Sequence, residues 1–341
     1  MSLDLQLQKL WYGNSPAAWL LLPLSWCFRL VVAVRRCCFA VGLLKSYRLS
    51  QPVIVVGNLT VGGTGKTPLV IWLSNALAAQ GKQVAVITRG YGGKVSHWPQ
   101  QVLAHSDPLL VGDEAVLLAQ QTKAIVMAGP DRVASAQQAV TAGADVIISD
   151  DGLQHYRLQR DCELVVVDAS RYFGNGYLLP AGPLREPVAR LKQADLVLLN
   201  QRIGSQSLSL NVPTVSYRVE LDQLRGISSN RIRTLAELQG QKVHVVTAIG
   251  NPESFINALR EYGLEVVPHV FPDHAALGRA DIEFADDLPV LMTEKDAVKC
   301  HAIAGPQHWA VGAQVVLSDP ARTQLLNCVQ QAMQQRYSAT R

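Results

Sequence analysis

Charged residues are scarce in this chain, where they make up 17% of 341 residues, against roughly 25% in an average soluble domain. The hydrophobic share is correspondingly high, at 48%. A disordered chain, a collagen-like chain and a polar repeat are therefore excluded, because none of them has this many apolar residues. At roughly 100–200 residues per domain, the length predicts two domains, each large enough for its own core.

Cysteine patterns typical of a metal site are missing. The six cysteines form no C-x-x-C pair, and no histidine stands at a spacing from them that suits zinc. Three of the six fall in the first 38 residues, within an apolar stretch. We interpret the cysteines as small hydrophobic residues of a protein in a reducing compartment.

A basic surface is also missing from most of the chain, although the formal net charge is +4. Residues 1–50 hold six basic groups and one acidic group, whereas the remaining 291 residues hold 25 basic and 26 acidic groups. A nucleic-acid-binding protein would carry its basic stripe within the folded domains. We therefore expect no nucleic-acid partner.

The N-terminal segment has no uninterrupted run of the roughly 18 uncharged apolar residues that would indicate a membrane-spanning helix. Pro23, Arg29 and the pair Arg35-Arg36 interrupt its apolar stretches. On a helix, Ser25, Arg29 and Arg36 would form one narrow polar stripe. Half of the chain's tryptophans, a residue type enriched at lipid headgroups, also lie here: Trp11, Trp19 and Trp26.

These features predict that residues 1–45 form a membrane-associated helical segment, either peripheral or monotopic. Its arginines would be attracted to the anionic lipids of the cytoplasmic leaflet. Two alternatives remain open. One is a secretory signal, for which the segment lacks an A-x-A cleavage site, and the other is a helix packed on the protein body.

From residue 52 onward, short apolar runs alternate with helical stretches. The runs are apolar throughout rather than at every second residue, which is typical of a parallel sheet covered by helices on both faces. The predicted strands of this first unit are 52–56, 84–88, 124–127, 145–149, 163–168 and 195–200. The fold class is therefore α/β, and ligands are expected beyond the carboxyl ends of the strands.

The composition changes after residue 200, where serine, glutamine and asparagine become frequent. We predict an α/β nucleotide-binding domain over 46–212, a linker over 213–228, and a smaller α/β domain over 229–341. The second domain has its own apolar strand-like runs, near 243–248, 264–270, 289–292 and 308–311.

The strand over 52–56 runs directly into a glycine-rich segment, 57–67, and a helix follows. The segment reads G-N-L-T-V-G-G-T-G-K-T, in the strand–loop–helix context of a phosphate-binding loop (P-loop). Lys66 would reach the β- and γ-phosphates, and the Thr67 hydroxyl would coordinate Mg²⁺. Thr60 stands where the general pattern has glycine. The residues expected to bind the nucleotide are Gly62, Gly63, Thr64, Gly65, Lys66 and Thr67.

Acidic residues also occur at the end of one predicted strand and at the start of one predicted helix. The strand over 145–149 ends in Asp150 and Asp151, and an aspartate at the end of an apolar strand is typical of the second magnesium-side element of a P-loop enzyme. The alternative is an ordinary turn, since Asp-Gly is favourable turn chemistry. Asp113 and Glu114 begin a helical run, where acids suit the helix dipole without any catalytic role.

Other candidate residues also follow predicted strands. Arg89 comes after the strand over 84–88 and offers a cation to an anionic substrate. Arg185 and Glu186 lie in a proline-rich segment, where they form either a salt bridge or a ligand clamp. His274 and the T-E-K-D sequence over 293–296 follow strands of the second domain.

Taken together, these segments resemble one family, the tetraacyldisaccharide 4′-kinases, or lipid A 4′-kinases. The motifs occur in order along most of the chain: V-G-N-L-T-V-G-G-T-G-K-T-P, T-R-G-Y-G, G-D-E, D-D-G-L-Q-H, G-P-L-R-E-P, P-D-H and T-E-K-D. Threonine at position 60 is the form that this family has. At position 275 the chain has alanine, where the family pattern leads us to expect a second histidine.

The resemblance implies a P-loop kinase on the cytoplasmic face of the inner membrane. Such a kinase transfers the γ-phosphate of ATP, with Mg²⁺, to the 4′-hydroxyl of a tetraacylated glucosamine disaccharide 1-phosphate. It implies Lys66 as the catalytic lysine, and a base formed by Asp113 and His274 from the two domains. Asp151, with Asp150 as the alternative, is implied on the metal side. The residues implied around the lipid substrate or the nucleotide are Asn58, Arg89, Glu114, Arg185 and Glu186.

Two other functions remain open. A membrane-associated P-loop GTPase or ATPase could drive a partner protein, although the guanine-reading order N-K-x-D is not met because Lys295 directly precedes Asp296. A membrane-bound scaffold could bind a nucleotide without chemistry. Acceptor-dependent phosphoryl transfer distinguishes the kinase from both.

Overall fold

The structure is a computed structural model that describes residues 3–13, 16–201, 210–229 and 231–340. Within these residues the chain forms thirteen β-strands, ten α-helices and three 3₁₀ helices. The strands are β1 Val53–Gly57, β2 Val84–Thr88, β3 Gln100–Val102, β4 Ile125–Ala128, β5 Val146–Asp150, β6 Cys162–Asp168, β7 Leu196–Asn200, β8 Thr214–Gly226, β9 Ile232–Thr234, β10 Lys242–Thr247, β11 Glu265–Val270, β12 Val290–Thr293 and β13 His308–Leu317.

The α-helices are α1 Leu3–Tyr12, α2 Leu22–Ala40, α3 Lys66–Ala79, α4 Pro108–Val111, α5 Asp113–Gln121, α6 Arg132–Thr141, α7 Pro252–Glu261, α8 Arg279–Ile282, α9 Glu294–Cys300 and α10 Asp319–Thr340. The 3₁₀ helices are Pro16–Leu21, Val188–Gln193 and Leu235–Leu238. The predicted α/β fold class is confirmed, because helices cover a mostly parallel sheet.

The first half of the chain, which carries strands β1 to β7, forms a sheet in the order β7-β6-β1-β5-β2-β4-β3. All neighbours in it are parallel except the edge strand β3. Residues Val53 to Gly57 of β1 are all buried, because helices pack on both faces of the sheet. This burial on two sides explains why the strands read as continuous apolar runs.

The second half, which carries strands β9 to β13, continues the same sheet. Strands β11, β10, β12 and β13 are parallel to one another. Strand β13 pairs antiparallel with β8, which in turn pairs parallel with β7. The predicted linker, 213–228, therefore coincides with a long strand that is hydrogen-bonded to both halves.

Helix α10 comes last in the chain but packs on the first half. Leu325, Val329 and Met333 belong to the same apolar cluster as Ile54 and Leu73. The Tyr337 hydroxyl also donates a hydrogen bond to the Asp145 carbonyl at 2.9 Å. The predicted second domain, 229–341, includes helix α10. In the structure this helix covers the core of the first half instead.

The N-terminal segment lies against the body along one narrow face. The Ser25 hydroxyl donates a hydrogen bond to the Leu178 carbonyl at 2.8 Å, and Trp11 Nε1 donates one to the Pro180 carbonyl at 2.9 Å. Arg36 donates to the Gln193 side chain at 3.0 Å. At Ser25 and Arg36, the polar stripe expected at the lipid interface therefore contacts protein. The predicted alternative, in which the N-terminal helix packs on the protein body, therefore describes the face that carries Ser25 and Arg36.

The opposite face of this segment is apolar and exposed. The exposed fractions of its side chains reach 82% at Leu20, 69% at Trp19 and 65% at Leu30. The helical residues Pro16–Ala40 contain an 18-residue window with a mean hydropathy of 1.9, and by length and composition they could cross a membrane. The sequence predicted no membrane-spanning helix because Arg29 interrupts the apolar run. In the structure, helix α2 continues through Arg29. An exposed apolar face of this size is typical of a membrane contact.

We predict that replacing Leu24 and Leu30 together by glutamine weakens membrane association about tenfold or more, because each leucine loses on the order of 1.5–3 kcal/mol of burial in lipid. These side chains are 58% and 65% exposed, so the fold should be retained. Co-sedimentation with anionic vesicles measures the effect. The matched control replaces Leu103 and Leu109, which are 48% and 55% exposed in the first half. Equal vesicle binding by the two double variants would contradict the assignment.

Candidate active site

A large cleft lies at the carboxyl ends of the strands. Its volume is about 2450 Å³, whereas a pocket for a small ligand usually has roughly 300–1,000 Å³. It is lined by the glycine-rich loop, by the N-terminal segment and by loops of the second half. The cleft is therefore large enough for two ligands side by side.

The glycine-rich loop joins β1 to α3, as predicted, and has the backbone that its glycines permit. Gly62 and Gly65 have φ angles of +104° and +83°, in the left-handed region that favours glycine. Asn200 Nδ2 donates to the Thr64 carbonyl at 3.1 Å, and the Tyr217 hydroxyl donates to the Gly65 carbonyl at 3.1 Å. The loop is thus held in place by Asn200, the last residue of β7, and by Tyr217 of β8.

Lys66 lies at the start of α3 and contacts two predicted site residues. Its Nζ donates to Asn58 Oδ1 at 3.0 Å and lies 3.3 Å from Asp151 Oδ1. Asn58 is fully buried, and its Nδ2 donates to the Thr60 carbonyl at 2.9 Å. Asn58 therefore orients the lysine from within the loop rather than from the substrate side of the cleft.

Asp151 is engaged by two cations. Arg185 Nη1 donates to its Oδ2 at 2.9 Å, and Lys66 approaches its other oxygen. Burial alone would raise the pKa of Asp151, but the two cations outweigh burial and hold that pKa well below its usual range. The carboxylate is therefore ionised and already paired.

Asp150 differs from its neighbour. It ends strand β5, is 3% exposed, and its Oδ1 has no hydrogen-bond partner among the described residues. Burial, with the nearby Glu114 charge, raises the pKa of Asp150 to about 7. It lines the same cleft as Thr67. A buried carboxylate oxygen without a hydrogen-bond partner and a hydroxyl that lines the same cleft are oxygen donors of the kind that Mg²⁺ prefers.

Arg132 is a cleft residue that the sequence analysis missed. It begins α6, directly after the loop that follows β4, and is 2% exposed. Its Nη2 donates to the Asp150 carbonyl at 3.0 Å, while burial lowers its pKa to about 10. The only available signal was an arginine one residue after the helix-capping Asp131, which is no specific motif.

Asp113 and His274 meet across the two halves, although 161 residues separate them. Asp113 begins α5 and is 6% exposed. His274 follows β11 and has a φ angle of +60°. The distances from His274 Nδ1 to the two Asp113 carboxylate oxygens are 3.1 and 3.2 Å. The structure thus brings together the two residues that the resemblance paired.

Each member of this pair shifts the other's pKa. Burial would raise the pKa of Asp113, but the hydrogen bond from His274 and the nearby Lys295 lower it overall. Burial would lower the pKa of His274, but its bond to Asp113 raises it overall. Asp113 is therefore ionised at neutral pH and is available to accept a proton.

The remaining predicted residues lie in or beside the cleft in different settings. Arg89 is exposed and Glu114 is half-buried, and both line the cleft. Glu186 is 2% exposed, and its oxygens contact protein groups, the Tyr156 hydroxyl at 2.5 Å and Arg190 Nε at 3.4 Å. His155 lines the cleft, and burial beside several arginines lowers its pKa to about 4.

The phosphate-binding loop with Lys66, the buried Asp150 and the histidine of the Asp113–His274 pair all line one cleft, and this arrangement is that of a P-loop nucleotide-dependent phosphotransferase. The profile of one family, tetraacyldisaccharide-1-P 4′-kinase (LpxK), matches residues 17–331. The chain belongs to this family and is a kinase, so the resemblance seen in the motifs is confirmed.

Individual relatives agree with this assignment. Tetraacyldisaccharide 4′-kinase of Nitrosococcus oceani is 48% identical over 326 residues, which cover 95% of this chain and 94% of the relative. The enzyme of Alkalilimnicola ehrlichii is 45% identical over 309 residues, 89% of this chain and 91% of the relative. A crystal structure of LpxK from Aquifex aeolicus in complex with ATP has a TM-score of 0.79 and 27% identity, and covers 93% of this chain and 99% of that chain.

We predict that Gly65→Ala weakens ATP binding at least tenfold. A Cβ there would lie 2.5 Å from Asn200 Nδ2, at a φ angle of +83°, so the loop must shift away from its support. Gly81→Ala is the matched control, because Gly81 also has a positive φ, +79°, but nothing within 4 Å of the added carbon. Calorimetric titration with ATP measures the affinity. Wild-type ATP affinity in Gly65→Ala would show that the support of the loop by Asn200 does not affect nucleotide binding.

Proposed function

We propose that this kinase transfers the γ-phosphate of ATP to the 4′-hydroxyl of a tetraacylated glucosamine disaccharide 1-phosphate, with Asp113 as the base. The observation that carries the proposal is the Asp113–His274 pair, whose histidine lines the same cleft as the phosphate-binding loop and lies 3.1 Å from the buried Asp113 carboxylate. Membership of the 4′-kinase family supports the acceptor. The likeness to an ATP-bound relative supports the donor.

The residues of the loop position the triphosphate. Backbone N–H groups around Gly62 and Gly65 and the N-terminus of α3 favour phosphate oxygens. Lys66 is already held by Asn58 and Asp151, so it need not be ordered when the nucleotide binds. In this role Asp151 and Arg185 orient the lysine and the loop rather than the metal.

Thr67 and Asp150 are the residues that would hold Mg²⁺. The metal would neutralise charge on the transferred phosphate. We favour Asp150 over Asp151, which differs from the first choice made from the resemblance. Oδ1 of each aspartate is buried without a hydrogen-bond partner among the described residues. The support for Asp150 is that both Asp151 oxygens lie within 3.3 Å of a cation, whereas Asp150 has no ion pair among the described residues.

Asp113 accepts the proton of the attacking hydroxyl in this proposal. His274 donates Nδ1–H to the carboxylate and so orients it, while the carboxylate keeps its charge. Because the two residues come from different halves, the base is complete only when the halves are in contact.

The substrate-facing roles of the other predicted residues are also proposals. Arg89 and Glu114 line the cleft and are accessible to a ligand. Glu186, by contrast, is 2% exposed, and its carboxylate accepts from the Tyr156 hydroxyl and lies near Arg190. We infer that Glu186 supports the adjacent Arg185 and does not bind the substrate directly.

The N-terminal segment explains how the enzyme reaches an acylated substrate. Residues of α1 and α2, among them Trp11 and Val31, line the same cleft as the phosphate-binding loop. Their exposed apolar face would lie in the cytoplasmic leaflet of the inner membrane, with the helix peripheral or monotopic. The acyl chains of the substrate could then stay in the bilayer while its sugar enters the cleft.

Acceptor-dependent transfer tests the proposed reaction. With ATP labelled at the γ-phosphate, we expect label on the disaccharide lipid and little hydrolysis in its absence. Undiminished hydrolysis without acceptor would favour the GTPase or ATPase alternative, which the family assignment does not favour.

We predict that Asp113→Asn lowers kcat by at least about a hundredfold, in line with the loss of a general base, and leaves ATP affinity nearly unchanged. The amide keeps the size of the side chain but cannot accept the proton. The control is Asp107→Asn, since Asp107 caps α4 nearby through the Leu109 N–H at 2.8 Å. A near-wild-type rate in Asp113→Asn would remove the assignment of the base.

A further inference from the structure

The T-E-K-D sequence over 293–296, which the proposed function does not use, supports the backbone of the His274 loop. The Thr293 hydroxyl caps helix α9 by accepting from the Asp296 N–H at 3.2 Å. Asp296 is fully buried and accepts from the Ala248 N–H at 3.1 Å. The carbonyl of Ala248 in turn accepts from the His274 N–H at 3.1 Å. The motif is thus connected to His274 by a short chain of hydrogen bonds.

Lys295 contacts the imidazole ring of His274 itself. Its Nζ lies 3.2 Å from His274 Nε2, 3.1 Å from Glu114 Oε1 and 3.5 Å from Asp273 Oδ1. Its side chain is 16% exposed. Burial would lower the pKa of Lys295, but the carboxylates of Glu114, Asp113 and Asp273 raise it overall. The lysine therefore remains a charged donor throughout the working pH range.

These contacts act on the protonation of the ring in opposite directions: the bond to Asp113 raises the pKa of His274, and the ammonium group of Lys295 lowers it. An ammonium group has donors and no acceptor, so a hydrogen bond to Lys295 requires a lone pair on His274 Nε2. The carboxylate of Asp113 accepts, so the ring proton must lie on Nδ1. A second proton on Nε2 would point at the ammonium group.

We propose that Lys295 is a positioning residue that occupies Nε2 of His274 and thereby keeps the ring neutral, with its one proton directed at Asp113. The role rests on the proposed function, in which Asp113 is the base. An imidazolium beside Asp113 would stabilise the ionised carboxylate and make it a weaker proton acceptor. Lys295 opposes that change from the side of the ring away from the carboxylate.

The charged groups around His274 come from several elements. Helix α5 contributes Asp113 and Glu114, and helix α9 contributes Lys295 and Lys299, whose Nζ lies 4.0 Å from Asp113 Oδ2. The neighbouring Asp273 has its Oδ1 3.8 Å from Nε2. The phenol ring of Tyr91 packs on the imidazole with a centroid distance of 4.7 Å. Within this set, Lys295 alone places a cation within hydrogen-bond distance of Nε2.

The kinetic experiment compares Lys295→Met with Lys295→Arg. Without the cation, the pKa of His274 should rise, so the acidic limb of the kcat profile should move to higher pH by about one unit. Lys295→Arg keeps the charge and should leave the limb in place, as should Lys123→Met, which removes an exposed lysine elsewhere. The KM for ATP should be unchanged in all three. A loss of rate in Lys295→Met without movement of the limb would overturn the proposal.

A spectroscopic experiment needs no turnover. The ¹⁵N resonances of His274, assigned by their loss in His274→Gln, report whether Nε2 carries a proton. At a pH where wild-type Nε2 is unprotonated, we expect it to be protonated in Lys295→Met and unprotonated in Lys295→Arg. An unprotonated Nε2 in folded Lys295→Met would overturn the proposal. Failure of acceptor-dependent transfer by the wild type would instead overturn the proposed function, and the resonances would still report on Lys295.

Discussion

The hydrogen bond between Asp113 and His274 is the contact on which the proposed chemistry depends. A buried carboxylate is costly unless it is paired and hydrogen-bonded, and Asp113 is buried at the start of α5. Its compensation comes from the second half of the chain, from His274 and from the lysines of α9. The negative charge of Asp113, which the proposed base needs, is therefore stabilised largely by the second half, beside one hydrogen bond from the Glu114 N–H of its own helix.

The shared sheet makes such a contact possible. Strand β8 pairs with β7 in the first half and with β13 in the second, so the carboxyl ends of both sets of strands open on one cleft. The same strand carries Tyr217, which braces the phosphate-binding loop through the Gly65 carbonyl. Strand β8 thus contacts the phosphate-binding loop as well as both halves of the sheet.

The local parts of the site were predictable from the sequence, and the long-range parts were not. The strand, glycine loop and helix around Lys66 are contiguous in the chain, so their pattern is sufficient. The pairing of Asp113 with His274 came only from the resemblance, because no local rule relates residues 161 positions apart. Arg132 was missed for the same reason, since its hydrogen bond goes to the carbonyl of Asp150, 18 residues away in the chain.

The predicted linker over 213–228 shows a second limit of prediction from sequence. Its alternating stretch, from Thr214 to Leu221, is that of a strand, but the polar composition around it indicated a connection. Strand β8 forms because it is hydrogen-bonded to β7 on one side and to β13 on the other. The sequence of β8 alone does not identify these partner strands. In the same way, the polar stripe at Ser25 and Arg36 suited a lipid interface by composition, whereas its hydrogen bonds go to protein carbonyl and amide oxygens.

The central claim is that Asp113 and His274 act as one unit across the two halves. The most direct test is a double-mutant cycle on kcat with Asp113→Asn, His274→Gln and the double variant, all measured with the lipid acceptor. Residues that act as a unit are strongly non-additive, so we predict that the double variant is no slower than Asp113→Asn alone. Losses that multiply independently would contradict the account.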